Sequence, residues 1–199
     1  MGGATRAPPC CGGYCPGMRV RVFGSFGAVG DDGQELSVGG PKQRTVLALL
    51  SVEPGRHVPM DSLVMAVWGD EAPDRARRSL STYVSNLRRA LGNIIDTGTG
   101  SYALRLDRSQ IDSCAFTDVV DAAGRDEGAD GAARYREALS LWTGVPFLGL
   151  DGFGAFREEA HRLGALRLVA EHAVIESDIE KGDAASVIPH IDALTRVSL

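Results

Sequence analysis

The chain of 199 residues has no apolar run approaching the ~20 residues that a membrane-spanning helix needs. Its first seventeen residues, MGGATRAPPCCGGYCPG, carry one arginine and no apolar segment, so they are not a secretory signal. A cytoplasmic protein is expected. No Gly-x4-Gly-Lys-Ser/Thr motif occurs, which excludes a nucleotide-binding P-loop. The four histidines, His57, His161, His172 and His190, are scattered and lack the spacing of a metal site or a catalytic triad. Cys10, Cys11 and Cys15 cluster in the Gly/Pro-rich leader, far from Cys114. Three thiols without a nearby histidine fall short of the four ligands that zinc normally takes. Residues 1–17 therefore read as a disordered leader, with Met18 an alternative start, and no metal or cofactor is expected. Glu158, Glu159 and the acids that follow them read as a solvated face, and no nucleophile is set beside a base. No enzyme is expected.

The net charge of −5 argues against nucleic acid until it is divided along the chain. Residues 18–106 hold eleven Lys/Arg against nine Asp/Glu, a balance of +2, whereas residues 107–199 hold nine against seventeen, a balance of −8. The first part can meet phosphate and the second cannot. The positive charge peaks in DRARRSLSTYVSNLRRAL, Asp74 to Leu91, which contains Arg75, Arg77, Arg78, Arg88 and Arg89. Leu80, Val84, Leu87 and Leu91 recur at helical spacing and form an apolar back. Ser81, Thr82, Ser85, Asn86 and Arg89 form a polar front, which suits a DNA major groove or, alternatively, a solvated basic face.

Around that stretch the order of elements is sheet, three helices, hairpin. Val20, Val22 and Gly24 alternate with Arg19, Arg21 and Phe23, which predicts a strand from Arg19 to Phe26. A turn at Asp31-Asp32-Gly33 and a short Leu36/Val38 strand follow. Pro41 opens a helix that Pro54-Gly55 stops. A second helix begins near Met60 and buries Leu63, Val64 and Val67, with Trp68 assigned wholly to the core and Gly69 as its stop. After the arginine helix, Gly92-Asn93 leads to strands at Ile94-Ile95 and Tyr102–Leu106 around Thr97-Gly98-Thr99-Gly100, a β-hairpin. The second and third helices make a helix-turn-helix, and the hairpin makes its wing.

Beyond Asp107 only helical patterns remain. Phe116, Val119, Val120 and Ala123 predict one helical face, and Ala133, Ala138, Leu139 and Trp142 another. A long helix over residues 156–181 follows, with Leu163, Leu166, Ala170, Ala173 and Ile179 apolar. A turn at Gly182-Asp183 leads to a helix over residues 184–195. The last two form an αα-hairpin of tetratricopeptide type, which normally stacks in threes or more. The helical part thus reads as cut within itself or completed by a partner. The fold expected is an α+β winged helix-turn-helix over residues 18–106, followed by an all-α tetratricopeptide-like domain over residues 107–199.

The segments GGPKQRTVLALL, VPMDSLVMAVWGDEAP, LSTYVSNLRRALG and TGTGSYALRL, in that order, resemble the OmpR-type DNA-binding domain of Streptomyces antibiotic regulatory proteins (SARPs). The continuation through Phe116 and REALSLWTG resembles the bacterial transcriptional activator domain that follows it in that family. The resemblance implies an activator of secondary-metabolite genes that binds promoter direct repeats in double-stranded DNA as a homodimer and recruits RNA polymerase. It places phosphate contacts on Arg78, Tyr83, Ser85 and Arg88, and base readers on Ser81, Thr82 and Asn86. Ser85 and Asn86 stand where some OmpR-type relatives carry arginines, so a different base sequence should be read. Ser101 replaces a glycine common before the wing tyrosine, and Thr99 is the wing-tip candidate. The loop carrying Asp70 and Glu71 corresponds to one that touches polymerase, or else is a solvated turn in which Asp74 caps the next helix. The seventeen residues before Met18 are too few for a phosphorylated receiver domain.

Lys42, Arg75, Arg77, Arg78, Arg88 and Arg89 supply about six phosphate contacts, for a slope of log affinity on log salt near −5 at ~0.9 per phosphate. Arg88 and Arg89 lie ~100° apart on the helix, so Arg88 is assigned to phosphate and Arg89 to a flank. Asn86 is suited to a bidentate pair with adenine. A second class of function stays open: a helical-repeat interaction module whose winged helix binds protein or DNA without sequence preference.

Overall fold

The computed structural model describes residues 17–126, 128–150 and 154–182. Cys10, Cys11, Cys15 and the helix expected over residues 184–195 lie outside them. Strand β1 (Arg19–Arg21) pairs antiparallel with β2 (Gly27–Val29), and β2 with β3 (Glu35–Leu36), in the register Val20↔Ala28 and Ala28↔Leu36. The strand expected from Arg19 to Phe26 thus ends at Arg21, and the next strand begins only after Phe26. Gly24, at φ 77°, turns the chain between them, a backbone conformation costly for residues with a Cβ. The turn buries both Phe23 and Phe26.

Helix α1 (Pro41–Val52) starts on Pro41, whose missing N–H costs nothing in the first turn, and buries Val46, Leu47 and Leu50. At its end Gly55, at φ 85°, donates its N–H to the Leu104 carbonyl at 2.8 Å. Two residues, Val58–Pro59 (β4), then pair with the hairpin, too short a run for any periodicity to announce. Helix α2 (Met60–Trp68) buries Leu63 and Val67 and stops at Gly69, φ 61°. A single 3-10 turn, Gly69–Glu71, leads toward α3 (Ala76–Leu91). Asp74 does not cap α3: the capping position is Arg75, without a side-chain bond, and the Ala76 N–H goes to the Pro73 carbonyl at 2.8 Å. The wing is β5 (Ile95–Gly98) and β6 (Ser101–Leu104), and the three strands run in the order β4-β6-β5.

Helices α4 (Asp112–Ala123), α5 (Gly128–Ser140) and α6 (Arg157–Glu180) pack on one another. Phe116, Val120 and Ala123 are buried as expected. On α5 the inward residue is Ala132, and Ala133 is exposed. On α6 Leu163, Ala170 and Val174 face the core while Ile179 is exposed, and Arg136 of α5 pairs with the buried Asp178.

One hydrophobic core runs across residues 106–107 and joins the N-terminal sheet to the helices. Phe23 meets Phe116 edge-on at 5.5 Å and Trp142 at 4.4 Å between ring centroids. Val20 bridges Ile111, and the Phe147 N–H donates to the Val22 carbonyl at 2.9 Å. The Asp112 carboxylate accepts the N–H groups of Val22 (2.7 Å), Phe23 (3.1 Å) and Ser113 (2.7 Å). Burial pushes its carboxyl up to about 6, against the downward pull of those three donors.

Candidate nucleic-acid interface

Helix α3 is 16 residues long, so it spans ~24 Å. Ala76, Leu80, Val84, Leu87 and Leu91 are buried against α1, α2 and the wing. At ~100° per residue, Thr82, Ser85 and Arg89 all fall within roughly 40° of Arg78, on the side opposite that stripe. All four are exposed. They are the outward line of the helix, with Asn86 at its border and Arg75 just ahead of its first turn.

The other expected contacts are placed differently. Arg88 leaves the outward line: its Nε and Nη2 donate to the Ile95 carbonyl at 3.0 and 2.7 Å, and Nη2 also to Thr97 Oγ1 at 2.6 Å. Arg89 takes the outward position and donates from Nη1 to the Asn86 amide oxygen at 3.0 Å. The assignment of Arg88 to phosphate and Arg89 to a flank is thus reversed in placement. Sequence spacing separates the two side chains by angle but cannot say which side the wing occupies. Arg77 pairs with Asp61 of α2 at 2.6 Å, which offsets its charge locally. Ser81 donates to the Arg77 carbonyl at 3.1 Å and lies 3.4 Å from the Tyr102 hydroxyl, so it faces the wing and not the outward line. Thr82 donates to the Arg78 carbonyl at 3.1 Å, leaving its methyl and an oxygen lone pair on the front. The guanidinium groups of Arg75 and Arg78 make no hydrogen bond or ion pair among the described residues.

Trp68 is half-buried, in contrast to its expected place wholly in the core. Its ring stacks on Tyr83 at 5.8 Å and 13°, and Lys42 Nζ sits 4.8 Å from its centroid. The stack joins α1, α2 and α3 at one flank of the front and fixes Tyr83 and Lys42 there. Asp70 and Glu71 are exposed in the turn between α2 and α3, and Thr99 is exposed at the wing tip. On the wing, Ser101 Oγ is 3.2 Å from His57 Nδ1, but Asp96 is 3.7 Å from His57 Nε2. Both acid and imidazole are about half exposed, so this surface group lacks the hydrogen bond that would orient a catalytic base.

Residues 33–101 match the model of the C-terminal domain of transcriptional regulatory proteins, and residues 111–198 that of the bacterial transcriptional activator domain. A winged helix-turn-helix followed by this helical domain defines a bacterial transcription regulator, and the chain belongs to the SARP family of such regulators. It is similar to regulatory protein AfsR of Streptomyces coelicolor, at 33% identity over 87% of this chain and 18% of AfsR. It is also similar to regulatory protein DnrI of Streptomyces peucetius, at 32% identity over 77% of this chain and 62% of DnrI. The structure of Mycobacterium tuberculosis EmbR in complex with a low-affinity phosphopeptide superposes with a TM-score of 0.83 at 30% identity, covering 91% of this chain and 50% of that one. The chain therefore spans less than two thirds of each of these relatives. Among the described residues no helix is long and apolar enough to cross a membrane.

Proposed function

We propose that the protein is a cytoplasmic, nucleoid-associated activator that lays α3 in the major groove of promoter direct repeats and recruits RNA polymerase to secondary-metabolite genes. The observation that carries this reading is the outward line Arg78–Thr82–Ser85–Arg89, backed by a buried stripe and flanked by the wing. Arg78 and Arg75 meet phosphates as unpartnered cations, and Lys42, Tyr83 and Arg89 border them. Thr82, Ser85 and Asn86 are left to meet base edges, with Asn86 suited to adenine. Thr99 touches the backbone beside the groove, and Asp70 and Glu71 face polymerase. Direct repeats call for head-to-tail association of two copies and not for a two-fold axis.

With Arg77 paired to Asp61 and Arg88 turned to the wing, about four cations remain for phosphate: Lys42, Arg75, Arg78 and Arg89. At ~0.9 per phosphate the salt slope becomes roughly −4 rather than −5. The test is fluorescence anisotropy on duplexes carrying promoter direct repeats and on random duplex, at ~150 mM salt. Tighter binding to the repeats supports the reading; equal affinity for both leaves the winged helix without sequence preference and overturns it.

A further inference from the structure

Of the five arginines carried by residues 75–89, Arg88 alone is half-buried and spends three donor bonds on the wing. We propose that Arg88 is a positioning residue that sets the angle between recognition helix and wing and makes no phosphate contact. The proposal rests on the DNA-binding reading for its effect on affinity.

The geometry of the hairpin explains why a guanidinium is needed. β5 is one of the two outer strands, so one of its edges has no ladder partner among the described residues. The Ile94 carbonyl takes the Arg105 N–H at 2.6 Å, which points the next carbonyl, that of Ile95, away from β6. Ile95 is buried, and a buried carbonyl left unpaired is costly. Arg88 meets that carbonyl with two donors and reaches Thr97 Oγ1, two residues along the same edge, with a third. A lysine ammonium lacks the planar fork that holds both acceptors at once.

The bond acts together with a second strut. Ser81 Oγ lies 3.4 Å from the Tyr102 hydroxyl on β6, seven residues before Arg88. Seven residues are about two turns, so both struts leave the same side of α3, the side facing the wing. The start of α2 adds a third tie through the Met60 N–H to the Gly100 carbonyl at 2.9 Å. The wing is thus held along its length, with Arg88 at its base.

The test compares Arg88→Met, Arg88→Lys and Thr97→Val with Arg78→Ala as a phosphate-contact control. In the full chain without DNA, hydrogen exchange of the amides from Asp96 to Tyr102 should quicken in Arg88→Met and Thr97→Val, while amides of α4 and α6 keep their rates. Unchanged exchange in the wing overturns the proposal whatever DNA does. On promoter repeats, Arg88→Met should lose about tenfold in affinity at every salt concentration with its slope unchanged, and Thr97→Val about threefold. Arg78→Ala should lower the slope by ~0.9. Arg88→Lys should stay weak, because it restores the charge and not the fork. The proposal is overturned if Arg88→Met lowers the slope by ~0.9 and Arg88→Lys restores binding. Failure of the wild-type protein to prefer repeats would sink the DNA reading, and the exchange rates would still decide the role of Arg88.

Discussion

Replacing Asp112 by asparagine tests how the sheet is clamped to the helices, because the two side chains differ only in charge and in one oxygen. Oδ1 accepts the Val22 and Ser113 N–H groups and Oδ2 accepts that of Phe23. In Asp112→Asn the oxygen can keep the first two, but the NH2 then faces the Phe23 N–H, donor against donor. The cost should be about 1–3 kcal/mol, that of a partly buried backbone donor left unpaired. The pH dependence separates this loss from general damage. Burial raises the Asp112 carboxyl from its ordinary 3.8 to about 6, so the folded state holds the proton more tightly than the unfolded chain. The stabilisation that protonation provides is full below pH ~4 and is lost as pH rises through 6. The asparagine variant has no such titration. Between pH 7.5 and 5 the wild-type protein should therefore gain about 1 kcal/mol over Asp112→Asn, read from urea unfolding at each pH. A difference that does not change with pH would refute the reasoning. A difference that shrinks as pH falls would show that the three N–H donors outweigh burial.

Other residues make further tests. Arg78→Ala should weaken binding to every duplex alike, whereas Asn86→Ala should change preference at one base position by ~1–3 kcal/mol, about 5- to 150-fold, in a panel of single-base variants. Trp68→Ala should cost about 2 kcal/mol in urea unfolding, below the ~3–5 of a fully buried aromatic, and should free Tyr83 and Lys42 from their stack. Gly92, at φ 85°, closes α3 before the wing, and Gly92→Ala should cost ~1–2 kcal/mol in the same assay.

The helices of the winged unit are legible in the sequence because apolar residues at three- and four-residue steps have one physical solution. Leu80, Val84, Leu87 and Leu91 could only share a face, and all are buried. Pro41 marks a start because its missing N–H costs nothing in the first turn, and Gly69 and Gly92 mark ends because glycine takes positive φ without a Cβ clash. The strands are less legible. Gly24 breaks an alternation that otherwise continues to Phe26, and β4 is two residues long. On α5 alanines occupy several faces, so spacing alone does not distinguish the buried Ala132 from the exposed Ala133. The candidate site was legible as a charged face but not in its division of labour. An arginine reads the same whether its acceptor is a phosphate or the Ile95 carbonyl, and only the position of the wing decides. Trp68 misled for a related reason: a large ring on an apolar stripe reads as core, although its outer side carries Lys42. The joint between sheet and helices was hidden by the change in composition near Asp107, which marks a change of surface charge while the core passes beneath it.

In the proposed function α3 reads DNA, and two copies do so in the same direction. Selection of bound duplexes from a random pool tests both parts at once. The expected result is enrichment of a short motif repeated in tandem, its copies about one helical turn apart (~10–10.5 bp), with one A·T pair fixed by Asn86. Recovery of unenriched sequence, or of inverted palindromes in place of direct repeats, would contradict it.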